Sequence, residues 1–348
     1  MNIRFMDLDM ASVICKTSRE SLLAFLHRIG LWEEKEGNKE SLAQILKEAI
    51  LSHPETILYI ESEEALSFLI KLWESETIEM TQQDWDLLGQ LQYLGFLDYS
   101  LGKENTEDGC IYLIREAWEK FYYYLKSRTV KMKIQRYSLW ERLIQGIMRF
   151  YGILSSNRLY FYFCKCLMEP VDDETFHLFL AARINLWGFG CFAREKNSGI
   201  EYYENFEVQN PDQVLNKCEE EKDFDYKRIS RDEILFVADN DGFGQWDGIG
   251  NLADVFMEEL EIEYYHTVIM IKTCLLMVQN GETKEKILES ILKWYPEGEK
   301  VKEKICTGVE LIYRSVPVYE LKGWSRNELG AHLYKKKRFT ILEGGKES

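Results

Sequence analysis

The feature that most constrains the fold is a pair of short amphipathic helices, with start and stop signals, between residues 17 and 51. Thr17 and Glu20 have the spacing of a capping box, and Gly30 stands where a left-handed C-terminal cap is usual. Apolar residues recur at helical spacing, at Leu22, Phe25, Leu26 and Ile29 and again at Leu42, Ile45, Leu46, Ala49 and Ile50. Pro54 limits the second helix. Because two such faces can bury each other, the stretch predicts a helix, loop, helix hairpin.

The hairpin stretch resembles the small N-terminal domain of the Rho transcription termination factor and its SAP-like relatives. The resemblance is carried by Ser18, Glu20, Leu22, Ile29, Gly30, Leu31, Lys39, Leu42, Ile45 and Leu46. It implies a helix, extended loop, helix unit that contacts nucleic acid, with Lys35 and Lys39 as candidate contacts. The same loop carries Glu33, Glu34 and Glu36, whereas phosphate attracts lysine and arginine. The alternative is a hairpin that docks onto the next domain and touches no nucleic acid.

Size and charge limit the classes of function that the chain can have. A chain of 348 residues is long for one core, so two or three domains are expected. Its 46% hydrophobic residues allow a large buried interior and exclude wholesale disorder. The net charge of −16 repels nucleic acids and anionic membranes at long range. A nucleic-acid site would therefore have to be a local basic surface, and we expect no membrane partner.

Three sequence patterns indicate in which cellular compartment the protein lies. The longest apolar run, 267–278, contains Lys272 and is shorter than the roughly 18 to 20 residues that a membrane span needs. The N-terminal MNIRFMDLDM does not have a positively charged start followed by an apolar core and a small-residue cleavage site, so we expect no signal peptide. The eight cysteines are scattered, mostly within apolar helical patterns, which favours reduced core thiols. We expect a soluble, cytoplasmic protein without a cofactor.

Two helices and two short strands are predicted after the hairpin. The helices cover about 62–74 and 81–94, and the strands at 96–99 and 110–114 flank a polar loop. This order is that of a winged helix. The second helix, which would be the recognition helix, contains Asp84 and Asp86 and no lysine or arginine, so it opposes DNA reading. A structural or protein-binding role for this winged-helix-like segment is the alternative.

The charge balance changes sign between residues 115 and 149, where basic and aromatic residues are interleaved. The mixture is typical of nucleic-acid binding, because cations contact phosphate and flat rings stack on unpaired bases. Helical spacing of many of the rings indicates instead that they face a core, which would leave basic, solvated faces on two packed helices. The candidate nucleic-acid-binding residues here are Lys126, Arg128, Lys131, Lys133, Arg136, Arg142 and Arg149.

The polar loop 237–251, VADNDGFGQWDGIGN, is the main candidate for a cation or active site. Asp239, Asp241 and Asp247 would supply hard oxygen ligands. Their spacing does not fit an EF-hand, and the glycines do not form a dinucleotide fingerprint, so a turn-rich helix connection is the preferred interpretation. Cys164 and Cys166, two apart on a helix, cannot converge on one zinc ion. No metal site is predicted.

The C-terminal segment has one sharp local signal, the capping-box spacing of Ser325 and Glu328. The segment is similar to a tail found in Firmicutes-type proteins that pair a Rho-like module with a cysteine-rich SEC-C zinc motif. No cysteine follows Cys306, so that zinc motif is absent. The basic tail 335–338 is expected to be solvated, with an anion contact as the alternative.

These patterns predict a mainly α protein with four parts: a helical hairpin at 1–54, a winged-helix-like segment with a small β-hairpin at 55–115, a helical bundle at 116–190 and a helical C-terminal domain with a basic tail at 191–348. The functional hypothesis is a non-enzymatic protein that contacts nucleic acid or a nucleoprotein assembly. The alternative is a protein interaction adaptor or oligomerising scaffold. An enzyme using the loop 237–251 is a third hypothesis, although no nucleophile, base and orienting group can be assembled. Nothing in the sequence indicates the oligomeric state.

Overall fold

The computed structural model describes residues 1–29, 31, 37–101, 109–184, 190–195, 201–293 and 298–334. The chain forms two compact units. The first unit comprises Met1–Trp140 and Val171–Leu186, and the second comprises Glu141–Pro170 and Trp187–Ser348. Helices dominate the described residues, and the strands among them form two small sheets, which confirms the mainly α prediction.

The elements up to the middle of the chain are β1 (Asn2–Met6), α1 (Met10–Ile14), α2 (Arg19–Arg28), α3 (Lys39–Ser52), α4 (Thr56–Ile60), α5 (Glu63–Trp73), α6 (Gln82–Tyr93), β2 (Leu97–Ser100), β3 (Cys110–Ile114), α7 (Arg115–Lys126) and α8 (Arg128–Tyr151). The later elements are β4 (Ile153–Ser155), α9 (Ser156–Leu167), α10 (Asp173–Arg183), β5 (Cys191–Glu195), β6 (Glu201–Asn205), α11 (Pro211–Glu220), α12 (Arg231–Asp239), α13 (Ile249–Asp254), α14 (Tyr264–Gln279), α15 (Lys284–Leu292) and α16 (Glu299–Ser315). A further helix covers 326–334.

The predicted N-terminal helices are present as α2 and α3, which pack against each other in the core of the first unit. Leu22 of α2 and Leu42 of α3 are fully buried. The cap of α2 differs from the prediction: the Ser21 amide donates to Ser18 Oγ at 3.1 Å, so Ser18 and not Thr17 caps the helix. Both residues are good caps, and the adjacent serine is the one used.

The sheet of the first unit has the order β1-β3-β2. Strands β2 and β3 pair antiparallel, as the hairpin prediction requires, and the capping box of Thr81 and Asp84 at the start of α6 is present. Strand β1 pairs parallel with β3, with Asn2 opposite Cys110. This third strand was not predicted from the sequence.

Helix α10 completes the first unit. Asp172 caps it, and Phe176, Phe179 and Leu180 are fully buried. Its buried Arg183 donates to the carbonyl oxygen of Glu61 at 2.6 Å. A guanidinium at the end of α10 thus satisfies a backbone acceptor just after α4.

The second unit contains an antiparallel sheet of order β4-β6-β5. Strands β5 and β6 lie in the stretch 187–210, whose loss of helical periodicity predicts an irregular segment or a small hairpin. The helical spacing of Leu159, Phe163, Cys164 and Leu167 in α9 predicts that they face the core, and the three apolar residues of this set are buried. Cys164 is only half-buried, and Cys166 lies in the core instead. The two thiols thus have different environments.

The sequence of 251–279 has a helical pattern throughout, which predicts continuous helix, but the structure interrupts it. Helix α13 continues into a π-helical turn, Val255–Glu259, and α14 then starts at Tyr264. Glu261 has a left-handed backbone, with φ of 51°, which ends the first segment. In the part of the chain that the structure describes, no helix is long and apolar enough to span a bilayer.

Candidate functional site

The junction of α7 and α8 in the first unit holds the first group of predicted site residues. Ser127 ends α7, and its carbonyl accepts a hydrogen bond from the Lys131 amide at 3.0 Å in the first turn of α8. Phe121, Leu125 and Val130 are buried on the two sides of this junction. The apolar faces fix the two helices, so the polar residues of the junction face solvent.

Five predicted cations lie together in sequence at this junction and are all exposed. They are Lys126, Arg128, Lys131, Lys133 and Arg136, and we call them the basic corner. No aspartate or glutamate occurs from residue 126 to residue 140. Tyr123 and Met132, beside these cations in sequence, are also exposed, Tyr123 by 77%. The basic corner thus combines positive charge with an accessible aromatic ring.

Two of these cations have partners within the first unit. Lys126 Nζ contacts Glu74 Oε1 at 2.6 Å, and this hydrogen bond raises the pKa of Lys126 and lowers that of Glu74. The guanidinium of Arg136 lies 5.2 Å from the centre of the Trp140 ring. Arg128, Lys131 and Lys133 make no ion pair with another described residue.

The charges of the basic corner oppose the dipole of α8. Its first turn contains Arg128 and no acidic residue. Several other helices have acidic residues in their first turn. These are Glu63 and Glu64 in α5, Asp173 and Glu174 in α10, and Asp232 and Glu233 in α12. A cation near a helix N-terminus costs about 0.3 to 1 kcal/mol at the surface, so a bound anion would be favourable at this turn.

The remaining predicted cations of α8 have acidic partners in the second unit. Arg142 Nε contacts Asp239 Oδ1 at 2.6 Å, and a second contact joins Nη2 to Oδ2. Arg149 Nη2 contacts Asp241 Oδ1 at 3.1 Å. The structure thus joins two sets of predicted site residues, the arginines and the loop aspartates, into ion pairs. Because Arg142 and Arg149 are ion-paired with these aspartates, we do not include them in the basic corner.

Asp241 belongs to a larger charge cluster. Lys272 Nζ contacts Asp241 Oδ2 at 2.6 Å and lies 3.6 Å from Glu207 Oε1. Burial raises the pKa of Asp241, but hydrogen bonds and charge from Lys272 and Arg149 outweigh it, and the net shift is downward. The adjoining cavity, of about 10 Å³, has room for about one water molecule. The cluster is a charge-compensated contact rather than a ligand pocket.

The other predicted residues give no metal site. The carbonyl oxygen of Asp247 accepts a hydrogen bond from Ser315 Oγ at 3.1 Å. Within the described ranges, no group of three histidine, cysteine, aspartate or glutamate side chains is arranged to hold a metal ion. Lys39 is the first residue of α3, and Lys35 and the basic tail 335–338 lie outside the described residues.

The second unit contains a cleft of about 720 Å³ that was not predicted from the sequence. Its wall includes most of the acidic segment 219–225, whose composition predicts a solvated helix end or loop. Lys322 is buried and donates to the carbonyl oxygens of Glu221 at 2.7 Å and Phe224 at 3.0 Å. The two sides of this contact are separated by 101 residues in the sequence, so no local pattern could show it.

Arg158, a charged residue that lines this cleft, contacts other lining residues. Arg158 lies 4.4 Å from the centre of the Tyr226 ring and 3.5 Å from Asp225 Oδ1. Burial raises the pKa of the Cys218 thiol, which lies 3.4 Å from the Tyr319 carbonyl oxygen. A raised pKa disfavours the nucleophilic thiolate. The cleft therefore lacks an activated cysteine.

Comparisons with protein-family models, with curated proteins and with solved structures returned no match.

Proposed function

We propose that this is a non-enzymatic protein that contacts nucleic acid, alone or within a nucleoprotein assembly, through the basic corner. The observation that carries the proposal is the run of five exposed cations without a carboxylate from 126 to 140, in a chain of net charge −16. Lysine and arginine contacts to phosphate supply most sequence-independent affinity for nucleic acids. Such a run in so acidic a chain is the arrangement expected of a local polyanion site.

Two features of the basic corner favour single strands. The Tyr123 ring is exposed, and a base without a pairing partner can stack on it. Arg128, Lys131 and Arg136 project from the solvent side of α8, opposite the buried Val130. One helix face can thus follow a short stretch of backbone.

The resemblance to the Rho N-terminal domain supports a second contact through α2 and α3. Lys39, at the start of α3, is the described residue that would contribute to it, together with Lys35. We further propose that α5, α6 and the hairpin of β2 and β3 act as a winged-helix-like scaffold. Asp84 and Asp86 on α6 exclude that helix as a reader of phosphate-rich grooves.

Fluorescence anisotropy with labelled single-stranded RNA and duplex DNA, at several salt concentrations, tests the proposal. Contacts from Arg128, Lys131, Lys133 and Arg136 predict a slope of log K against log salt of about −3 on a single strand. Replacing Arg128, Lys131 and Lys133 by glutamine should reduce the slope by about 2.

Arg142→Gln is the matched control, because it removes a cation that is paired with Asp239. It should leave the affinity and the slope nearly unchanged. An absence of binding at 50 mM salt, or an equal loss of affinity in the control and in the triple variant, would refute the proposal.

A second candidate is a protein interaction adaptor, and an exposed patch on α14 favours it. Tyr264, Tyr265 and Ile269 lie near the start of this helix with large exposed surfaces. Exposed apolar residues that cluster mark contact sites more often than isolated ones do. Affinity purification in the presence of nuclease, with wild-type protein and a Tyr264→Ser, Tyr265→Ser variant, tests this function. A partner recovered equally by both proteins, or by neither, would count against the patch.

A further inference from the structure

The polar loop 237–251 continues from its ion-paired aspartates into the wall of a second cavity. This cavity, of about 280 Å³, lies within the second unit. Its lining is mostly aromatic or apolar, with Phe150 from α8, Phe236 and Val237 from α12, and Trp246 from the loop. Asp232, Glu233, Gly244 and Gln245 complete it.

Close backbone packing holds these walls in place. Helices α8 and α12 approach so closely at Gly146 that a Cβ atom there would lie 2.2 Å from the Ile234 carbonyl oxygen. Phe150 follows one turn later on α8 and is almost fully buried. The Trp246 ring lies over Gly244, where a Cβ atom would be 2.3 Å from Trp246 Cε2. Close packing at these two glycines therefore holds the Phe150 and Trp246 rings in position.

The rings have the geometry of an aromatic corner. The centres of the Phe150 and Trp246 rings are 6.3 Å apart, and their planes are inclined by 86°. Both rings line the cavity, so a bound group would contact an indole and a phenyl ring. The face of an indole ring is the most favourable aromatic surface for a cation.

The charged side chains among the described residues that line the cavity are acidic. They are Asp232 and Glu233, and no lysine, arginine or histidine occurs among these lining residues. Glu233 Oε2 accepts the Ser230 amide at 3.0 Å, so this carboxylate is held in position by the capping box of α12. Two full negative charges exceed the partial positive charge of the α12 N-terminus, about half an elementary charge. The cavity favours a cation.

We propose that this cavity binds an alkylated ammonium group. Methyl groups on nitrogen fill an aromatic pocket and lower the cost of desolvation, whereas a bare ammonium group is strongly hydrated. The group could belong to a small quaternary amine or to a trimethylated lysine side chain, since both present the same head. This inference is independent of the function proposed for the basic corner.

Calorimetric titration of the full chain with choline and with its neutral isostere, 3,3-dimethyl-1-butanol, tests the assignment. The two probes have the same shape and differ in charge, so choline should bind about tenfold tighter. Trp246→Leu should abolish this preference. Asp232→Asn, at the exposed rim, should weaken choline binding severalfold and leave the isostere unaffected. Phe161→Leu, an exposed ring outside the cavity, is the control and should leave both affinities unchanged.

Equal affinity for the two probes would overturn the proposal, as would an absence of choline binding at 10 mM. Full retention of the preference in both Trp246→Leu and Asp232→Asn would do the same. A peptide with trimethyllysine forms a further arm of the experiment. Tighter binding of this peptide than of choline assigns the ammonium group to a protein side chain, and weaker binding assigns it to a small molecule.

Discussion

Gly146→Ala is expected to destabilise the second unit, although alanine is the better helix former. Gly146 lies inside α8, where a change from glycine to alanine normally contributes about 1 kcal/mol of stability. In this position the new Cβ atom would lie 2.2 Å from the carbonyl oxygen and 2.7 Å from Cγ2 of Ile234. The methyl group therefore meets the backbone of α12 rather than a side chain that can rotate away.

The size of the effect follows from the opposing contributions. Ordinary contact would require α12 to move by about 1 Å, and overpacking of this kind costs about 1 to 3 kcal/mol. The clash is with backbone, so we take the upper half of that range. After the gain in helix propensity, the net loss of stability is about 1 to 2 kcal/mol.

Gly89→Ala is the matched control. Gly89 lies within α6, and a Cβ atom there would meet no atom within 4 Å. This variant should gain up to about 1 kcal/mol. The same glycine-to-alanine change is thus expected to lower stability at residue 146 and to raise it at residue 89.

Hydrogen exchange measured by mass spectrometry across a urea series is the appropriate assay, because two units need not unfold together. Peptides from 231–239 should lose protection at lower urea in Gly146→Ala than in the wild type. Peptides from 82–93 should keep protection to higher urea in Gly89→Ala. A gain of protection in 231–239 for Gly146→Ala would refute the close approach of α8 and α12.

Two further predictions concern charged side chains. Burial raises the pKa of Asp98, but its hydrogen bonds to Lys16 and Gln92 outweigh this effect, and the net shift of the pKa is downward. The ionised Asp98 therefore stabilises the folded state fully above about pH 4, and this contribution is lost as the pH falls through the lower folded-state pKa. Asp98→Asn should therefore destabilise the first unit at pH 7, and the difference from wild type in urea denaturation should shrink below pH 4; a difference that persists at pH 2 would contradict this. Lys322→Ala should lower the stability of the second unit by about 2 to 4 kcal/mol, because one buried and one partly buried carbonyl oxygen lose their donor. Lys322→Gly should cost about 1 kcal/mol less in the same assay, because φ at this residue is 55°; equal or greater loss with glycine would contradict the role of backbone strain.

Local signals in the sequence predicted local structure well. The capping box predicted at Ser325 is present, as is one at Thr81, because each joins atoms only three residues apart. The same kind of signal was displaced by one residue at Thr17, since Ser18 offers an equivalent hydroxyl. The break near Glu261 had no glycine or proline to mark it, so apolar periodicity alone extended the helix too far.

Contacts between distant parts of the chain could not be predicted. Strand β1 pairs in parallel with β3, about a hundred residues later in the sequence, and Arg142 contacts Asp239, which is 97 residues away. The sequence showed a charge reversal in α7 and α8, but it could not show which of those cations would meet a carboxylate. The aromatic cavity was equally hidden, because the ring of Phe150 and the ring of Trp246 come from separate elements.

The central claim is that the basic corner is the surface that contacts nucleic acid, and lysine-reactivity footprinting tests it most directly. The full chain is labelled with an amine-reactive reagent, with and without a saturating single-stranded oligonucleotide, and each lysine is quantified by mass spectrometry. We predict that Lys131 and Lys133 lose reactivity severalfold on binding, while Lys302, an exposed lysine of α16 outside the basic corner, keeps its reactivity. Unchanged reactivity of Lys131 and Lys133 in the presence of bound oligonucleotide would contradict the claim.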